Sequence, residues 1–316
     1  MDTAPLRIII TGASGFIGAM MTRYFYREGM QVLALLRPES DRWRLADLPL
    51  EPGTTDYSPG QLRSLLEKFQ PDAIIHAAAP NGHCRDLQHY QQALGESQYL
   101  LGNLLQEAAA LAKAPVFVHL CSSMLYAHQQ EALREEGPMA PINYRGLIKL
   151  QERNLCRYYA EQQGLKVRVL RVFRAYGPYD HPDRLIAVLC RGLDEQKPVR
   201  LSPDHIKRDY ILVDDLSRMA LQLIKLQSNA PFIEVNGGSG REYAAREIMQ
   251  QLAAIAERDI LLDEQPFAAS PADRSVSRAD TQKLETLLAW QGATSIEIGL
   301  RQCWDWYKQN KALWKS

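Results

Sequence analysis

The chain has 316 residues, of which 46% are hydrophobic and 23% are charged, proportions of an ordinary soluble globular protein of one large domain or two. Its 37 Lys and Arg balance 37 Asp and Glu, so the net charge gives no support to nucleic acid or an anionic membrane as a partner. The five cysteines contain no C-x-x-C pair, which predicts reduced thiols in a cytoplasmic protein rather than disulfides or a metal site. No signal-like segment in residues 1–30 and no 18-residue apolar run is found, so no membrane segment is predicted.

The first predicted elements are a strand, a glycine-rich turn and a helix. Residues 6–10 form a β-branched apolar run, and residues 16–28 carry apolar side chains at helical spacing. Between them lies Thr-Gly-Ala-Ser-Gly-Phe-Ile-Gly at positions 11–18, with Gly12, Gly15 and Gly18 in G-x-x-G-x-x-G spacing. Glycine at such a turn lets a pyrophosphate approach backbone N–H groups at the positive end of the helix. The arrangement therefore predicts the first half of a dinucleotide-binding unit.

A second strand at 31–36 ends at Arg37, with Arg42 nearby. In dinucleotide-binding folds the residue at this position faces the adenosine ribose, where an acid binds the 2′-hydroxyl of NAD and a cation favours the 2′-phosphate of NADP. Arg37 therefore favours NADP, with NAD also possible. A solvated arginine at the end of a strand is the alternative.

Strands and helices continue to alternate along the first half of the chain. A helix is predicted at 61–69 and a strand at 72–79 that ends in Ala77 and Ala78, whose small side chains leave room for a cofactor at the strand end. His76 on that strand is interpreted as a packed residue. Further elements are a helix at 90–113, a strand at 116–121 and a strand at 166–171. This alternation predicts a Rossmann-type, doubly wound parallel sheet of the α/β class.

The second half of the chain mixes helices with short strands. Helices are predicted at 185–195, 243–256 and 296–307, with a short strand at 200–202. Residues 1–173 are expected to form the dinucleotide-binding domain, to which part of 208–235 returns. Residues 174–316 are expected to form mainly a smaller α+β substrate-binding lobe.

Segment 11–18 resembles the nucleotide fingerprint of the extended short-chain dehydrogenase/reductase family, which includes nucleotide-sugar epimerases, dehydratases and ketoreductases. Segments 122–126, 141–150, 171–178 and 208–215 resemble later motifs of the same family in the same order. The resemblance implies an NAD(P)-dependent enzyme acting on a nucleotide-activated sugar such as a 4-keto-6-deoxy sugar. The implied cofactor-binding residues are Gly12, Ser14, Gly15, Phe16, Ile17, Arg37, Asp56, Ala77, Ala78, Lys149 and Phe173.

The segment Ser-Ser-Met-Leu-Tyr at 122–126 resembles the family's Ser-Ser-x-x-x-Tyr segment, whose functional Ser or Thr precedes the tyrosine by four residues, as Ser122 precedes Tyr126 here. The resemblance implies that Ser122 hydrogen-bonds the reacting oxygen and that Ser123 and Tyr126 contact substrate. A pair of serines that cap a turn is the alternative. The family's dehydratases carry an acid pair where this chain has Ser123 and Met124, which argues against sugar dehydration.

The family's Tyr-x-x-x-Lys motif places both side chains on one face of a helix, where the lysine lowers the pKa of the tyrosine that exchanges a proton with substrate. Here Pro141, Asn143, Gly146 and Lys149 match the surrounding motif without a gap, and Arg145 stands at the tyrosine position. Two interpretations remain open. Tyr144 acts as a displaced acid/base beside Lys149, or proton transfer is lost or reassigned and Arg145 binds a substrate oxygen.

The later motifs concern substrate. Arg174 replaces the family's usual asparagine, and Arg208 stands in Arg-Asp-Tyr-Ile-x-Val-Asp-Asp, where the family's arginine binds the diphosphate. A structural salt bridge is the alternative for Arg208. A second family arginine has Arg274 as its nearest candidate.

Two function hypotheses follow: a nucleotide-sugar ketoreductase or epimerase, and a family member that binds the dinucleotide but has lost the redox step. The resemblance also implies a homodimer through stretches 90–112 and 146–163.

Overall fold

The computed structural model describes residues 4–80, 84, 86–265 and 276–314. Its contacts divide the chain into two compact units. The first comprises Met1–Ala127, Gly137–Val172 and Leu216–Val235, and the second comprises His128–Glu136, Phe173–Asp215 and Asn236–Ser316. The functional division into a cofactor domain and a substrate lobe stays a prediction.

The first unit is built on a seven-stranded sheet with the order β3-β2-β1-β4-β5-β6-β9. The pairings from β3 across to β6 are all parallel, and Ile8, Ile9 and Ile10 of β1 are fully buried between neighbours. The prediction of a Rossmann-type parallel sheet is confirmed. The strands are β1 (Arg7–Thr11), β2 (Gln31–Leu36), β3 (Gly53–Thr54), β4 (Ala73–His76), β5 (Val116–Ser122), β6 (Val167–Val172) and β9 (Phe232–Gly237).

Helices form most of the crossovers between these parallel strands, except that β2 and β3 are joined by a segment with a single 3₁₀ turn at Trp43–Leu45. The helices are α1 (Phe16–Arg27), α2 (Pro59–Phe69), α3 (Leu87–Ala109), α4 (Tyr144–Gln163) and α6 (Val213–Lys225), the last of which begins in the second unit. The start of α4 is defined by Asn143, whose side chain accepts a hydrogen bond from the N–H of Gly146 at 2.8 Å. Its end is defined by Gly164, whose φ of 70° is the left-handed conformation that glycine adopts readily.

One buried ion-pair group joins α4, β6 and β9. Arg153 donates to both carboxylate oxygens of Glu234 at 2.6 Å, and Arg171 donates to one of them at 2.9 Å. Burial alone would raise the pKa of Glu234, but the two guanidinium groups hold it below its ordinary value. Removal of Glu234 would leave two buried guanidinium groups without their counter-charge, so this group specifies how the last strand joins the sheet.

The second unit contains a three-stranded sheet with β8 in the centre, parallel to β7 and antiparallel to β10. The predicted helix at 243–256 begins only at Ala245, because residues 242–244 form β10. The predicted strand at 200–202 is irregular, and the neighbouring Val199 forms an isolated bridge with Leu262. Elements of this unit are β7 (Arg174–Tyr176), β8 (Lys207–Leu212), β10 (Glu242–Ala244), α5 (Leu185–Glu195), α7 (Ala245–Ala256), α8 (Gln282–Leu288) and α9 (Ile296–Asn310).

Candidate cofactor and active site

The turn between β1 and α1 is a close-packed cradle. Gly12 has a φ of 65°, and a Cβ atom on it would lie 2.5 Å from the backbone nitrogen of Ala78. A Cβ on Gly18 would lie 2.3 Å from the carbonyl oxygen of Gly12. The N–H of Gly15 donates to the same carbonyl at 3.0 Å. Both the backbone conformation and the space therefore demand glycine at position 12, and the space demands it at position 18.

A cavity of about 360 Å³ opens beside this cradle, at the carboxyl ends of β1, β2 and β4. Its position is the one where open α/β sheets bind nucleotides. The lining includes seven residues that the sequence assigned to cofactor or substrate. Among the described residues, the lining is formed by Gly12, Ser14, Gly15, Leu35, Leu36, Arg37, Ser40, Tyr57, Ala77, Ala78, Ala79, Pro80, Leu100 and Arg145.

Four predicted cofactor residues of the first unit lie outside this lining: Phe16, Ile17, Asp56 and Lys149. Phe16 and Ile17 begin α1, directly after the cradle. Asp56 is exposed, and its side chain accepts a hydrogen bond from the N–H of Ser58 at 2.8 Å. Hydrogen bonds from the Ser58 side chain and from this N–H lower the pKa of the Asp56 carboxyl group. Asp56 therefore organises the turn before α2, and its predicted contact with adenine remains a prediction.

The wall of the cavity next to Asp56 is formed by Tyr57, which the sequence analysis missed. Tyr57 is 2% exposed and has a φ of 62°, so a strained backbone turns its side chain inward. Burial raises the pKa of Tyr57 to about 12, and Gly12 and Thr11 hydrogen-bond its phenol. No periodicity signal marks such a residue, because its direction depends on one unusual backbone angle.

Arg37 lines the cavity at the end of β2, and its predicted contact with the cofactor stays a prediction. Its Nε lies 3.2 Å from Oε1 of Glu39, and its N–H donates to the hydroxyl of Ser40 at 3.2 Å. The Arg37 side chain is 36% exposed, so it can contact both solvent and a ligand in the cavity.

At the carboxyl end of β5, Ser122 begins a single 3₁₀ turn of residues 123–125. Its hydroxyl oxygen accepts a hydrogen bond from the N–H of Met124 at 3.1 Å. Ser122 therefore caps the turn, which was the alternative to a role in substrate binding. A hydroxyl that accepts one hydrogen bond can still donate its own proton to a ligand. Ser123 is half-buried beside it.

Tyr126 is part of the core of the first unit. Its side chain is 5% exposed, and the guanidinium carbon of Arg171 lies 4.9 Å from the centre of its ring. This position explains Tyr126 as a packing partner of a buried cation and leaves little of its surface for substrate.

Tyr144 and Arg145 are the first two residues of α4, and their side chains lie in different surroundings. Tyr144 stacks on Tyr90 of α3, with ring centres 5.0 Å apart and planes inclined by 24°. Arg145 lines the cofactor cavity instead. Lys149 follows Arg145 by four residues, about one turn along the same face of the helix. Its ammonium donates to the carbonyl of Leu120 at 3.2 Å and to Glu152 at 2.7 Å.

The profile of the NAD-dependent epimerase/dehydratase family matches residues 8–236, which contain the cradle, the cavity and the whole of α4. The chain belongs to this family. Among its relatives are UDP-glucuronate 4-epimerase of Thermodesulfobacterium geofontis, 28% identical with 98% of each chain covered, and dTDP-glucose 4,6-dehydratase of Neisseria meningitidis, 23% identical with 98% of this chain and 95% of the relative covered. GDP-6-deoxy-D-mannose reductase of Pseudomonas aeruginosa is 26% identical, with 93% and 95% covered.

Solved structures of epimerases share the fold. The Bacillus cereus UDP-glucuronic acid 4-epimerase in complex with UDP-glucuronic acid and NAD has a TM-score of 0.83 at 23% identity, covering 96% of this chain and 99% of that one. The Thermotoga maritima UDP-glucose 4-epimerase with UDP-glucose has a TM-score of 0.84 at 21% identity, with the same coverage.

In this member of the epimerase/dehydratase family, three arginines of the second unit surround Tyr210. Arg174 on β7 is paired in register with Tyr210 on β8, two residues after Arg208. Burial raises the pKa of Tyr210, and Arg174, Arg208 and Arg184 oppose that rise by their charge. The cluster is suited to an anion.

The buried carboxylate of Asp209 fixes β8 beside this cluster. It accepts hydrogen bonds from the N–H groups of Ser239, Gly240 and Ala279 at 2.7–3.0 Å, and from the hydroxyl of Ser239. Phe173, predicted to bind cofactor, is buried at the start of the same unit, where its N–H donates to Gly237 at 3.1 Å. Arg274 lies outside the described residues.

Among the helices of the described ranges, none carries an apolar stretch of membrane-spanning length. No group of three or more His, Cys, Asp or Glu side chains in those ranges could hold a metal ion.

Proposed function

We propose that the protein is an NAD(P)-dependent enzyme that acts on a nucleotide-activated sugar, as a 4-epimerase or 4-ketoreductase. The observation that carries the proposal is the cavity, in which the glycine cradle, the small residues after β4 and Arg37 meet at the carboxyl edge of the sheet. The cradle fits a dinucleotide because it leaves no room for side chains where a pyrophosphate would approach the backbone.

The bound nicotinamide would supply hydride transfer, and the chain would supply the proton and the orientation. We assign to Ser122 the hydrogen bond to the reacting oxygen, since its own proton remains available. Lys149 would hold the nicotinamide ribose. Tyr144 is the provisional acid/base, because a guanidinium at position 145 stays protonated at any relevant pH and cannot donate.

The cofactor is proposed to be NADP, with NAD as the second possibility. Arg37 at the cavity wall supports NADP, because a cation suits a 2′-phosphate. The Bacillus cereus and Thermus thermophilus epimerases that share the fold were solved with NAD, which supports NAD.

The sugar is proposed to be a 4-keto-6-deoxy hexose linked to a nucleotide, with Arg208 and Arg174 on its diphosphate. A dTDP-6-deoxy-L-talose 4-dehydrogenase and a GDP-6-deoxy-D-mannose reductase among the relatives support this class. UDP-glucuronate epimerases among them support an anionic sugar, which the third guanidinium near Tyr210 would also suit.

A second candidate is a cofactor-binding protein that has lost the redox step, or an enzyme that uses the scaffold for non-redox chemistry. The placement of Arg145 favours it, since this side chain lines the cavity while Tyr144 stacks on Tyr90. In this hypothesis Arg145 binds an anionic oxygen of substrate and no side chain exchanges the proton.

The test is absorbance at 340 nm with NADPH and then NADH, mixed with nucleotide-linked 4-keto-6-deoxy sugars, for the wild type beside Arg145→Tyr. Redox-neutral epimerisation of UDP-glucuronic acid and UDP-glucose is followed in parallel by proton NMR. Turnover by the wild type in either assay supports the first candidate. Activity only in Arg145→Tyr supports the second, and silence of both proteins in both assays contradicts the proposed activity.

The homodimer also remains a proposal. It would use α3 and α4, which pack against each other and carry exposed aromatic side chains, Tyr99 at 50% and Tyr158 at 54% exposure. Light scattering after size exclusion would give twice the chain mass, and a monomer mass would contradict it. A cytoplasmic location is likewise an expectation, tested by fractionation.

A further inference from the structure

Glu152 is a buried acid on α4 that the proposed chemistry does not use. Its side chain is 1% exposed. One carboxylate oxygen accepts a hydrogen bond from the hydroxyl of Ser97 on α3, and the other accepts a hydrogen bond from the ammonium of Lys149 at 2.7 Å. The second oxygen also lies 3.3 Å from Nε2 of His119 on β5. An acid is buried to this degree only when partners compensate its charge, and the cation here is Lys149.

Lys149 in turn depends on this acid. Its side chain is only 17% exposed. Burial would lower the pKa of Lys149, but the neighbouring Glu152 carboxylate raises it above its ordinary value. The carbonyl of Leu120 accepts a second proton of the ammonium. Two of three N–H donors are thus fixed, and within the described part of the chain the third is left for a ligand.

We propose that Glu152 is a positioning residue for Lys149, which holds the ammonium at the carboxyl end of β5 and keeps it charged where it is buried. The inference rests on the proposed function, because Lys149 is the residue assigned there to the cofactor ribose. Glu152 itself would touch neither cofactor nor substrate.

The surroundings allow a pH test of this proposal. Burial lowers the pKa of His119, and it lowers the pKa of His76, whose ring is stacked 5.7 Å from that of His119, to about 3. Burial raises the pKa of Cys121 to about 12 and that of Cys156 well above its ordinary value. All four therefore stay neutral near neutral pH. The charged groups near Lys149 among the described residues of β4, β5 and α4 then include Glu152 and, one turn earlier on α4, Arg145, whose guanidinium stays charged. The ionisable groups around Lys149 on these elements are Glu152, His76, His119, Cys121, Cys156 and Arg145.

The first experiment measures the affinity for whichever of NADPH and NADH the wild type binds more tightly, by fluorescence from about pH 6 to about pH 10, between the ordinary pKa values of histidine and lysine. Glu152→Gln keeps the shape and the amide oxygen for Ser97 but removes the charge that raises the pKa of Lys149. We expect affinity in this variant to fall about tenfold more than in the wild type as pH rises, since a deprotonated lysine loses a charge-assisted hydrogen bond. Profiles that coincide would overturn the proposal.

Glu107→Gln is the matched control. Glu107 is an equally buried acid of the first unit, paired with Arg63 at 2.8 Å, and it does not line the cavity. Its variant should follow the wild-type pH profile. A merely structural need for a buried acid would affect stability in both variants but leave both profiles unchanged.

Thermal unfolding keeps the proposal testable if Glu152→Gln folds poorly. Adding Lys149→Met removes the orphaned cation, so the double variant should unfold at a higher temperature than Glu152→Gln alone. A double variant no more stable than Glu152→Gln would overturn the proposal. If instead the wild type binds neither NADH nor NADPH, the proposed function fails, whereas the unfolding comparison still decides the pairing.

Discussion

The amino ends of α1 and α4 offer a comparison, because both helices begin at the carboxyl edge of the sheet and both approach backbone closely. A Cβ on Gly18 would lie 2.3 Å from the carbonyl of Gly12, and a Cβ on Gly146 would lie 2.3 Å from the carbonyl of Met124. Their caps differ. No described side chain caps α1, whereas Asn143 caps α4.

The difference separates two ways of using a helix start. At α1 the first N–H groups remain available to an anion, so the backbone carries the binding. At α4 the cap already occupies an N–H group, so any chemistry must come from the side chains that the first turns present, among them Arg145 and Lys149. We therefore expect substitutions at α1 to abolish binding and substitutions at α4 to change individual steps.

The largest effect is expected for Gly12→Ala. The new Cβ would clash with the backbone at Ala78, and the φ of 65° would be strained. NADH binding measured by fluorescence titration should be lost. Gly60→Ala is the control, because its Cβ would meet nothing within 4 Å and binding should be retained. If Gly12→Ala still binds NADH, the glycine cradle is not part of the cofactor site.

Tyr144→Phe should come next if Tyr144 is the acid/base. We expect kcat to fall about 10²–10⁴-fold, the usual contribution of proton transfer, with NADH affinity unchanged. Tyr90→Phe keeps the stacked pair and lacks only a hydroxyl bonded to Gln151, so its kcat should match the wild type. Equal rates in both variants would assign the proton transfer elsewhere.

Arg145→Ala should weaken NADH and NADPH binding about tenfold, because one charge-assisted contact to an anionic ligand contributes about 1.4 kcal/mol or more. Calorimetry on both cofactors gives the dissociation constants. Arg157→Ala removes an arginine of the same helix that is paired with Glu161 on the surface, and binding should not change. An unchanged dissociation constant in Arg145→Ala would mean that its guanidinium serves substrate alone.

Asn143→Ala should have the smallest effect, a loss of about 1 kcal/mol in the free energy of unfolding. Urea denaturation is compared with Ser58→Ala, since Ser58 stands at the start of α2 but makes no side-chain capping bond. If both variants lose the same free energy of unfolding, the Asn143 side chain does not stabilise the start of α4 as a cap.

Much of the first unit could be predicted, because strand, turn and helix follow from local patterns. The cradle at 11–18 and the small residues after β4 depend on glycine and alanine, whose roles are local. The lining residues Tyr57 and Leu100 could not be predicted in this way. Tyr57 faces the cavity through a positive φ, and Leu100 lies on a helix face that many leucines share.

Charges inside the fold were the least predictable part of the site. Glu152 has the sequence signature of a solvated helical residue three positions after a lysine, and only the packing of α3 and β5 against α4 buries it. Tyr126 is the opposite case. A motif predicted that it contacts substrate, but in the structure the guanidinium of a buried arginine packs over its ring. The partners that balance these buried charges come from distant parts of the chain, so a single sequence does not reveal them.

The buried group of Arg153, Arg171 and Glu234 has a consequence for synthesis on the ribosome. Glu234 follows Arg171 by 63 residues and Arg153 by 81, so it is synthesised roughly 3–16 s after them at about 5–20 residues per second. We expect β6 to be an open edge during that interval, with the charges of Arg153 and Arg171 beside it. Such charges would deter edge-to-edge pairing of nascent chains until Glu234 arrives and pairs with both arginines.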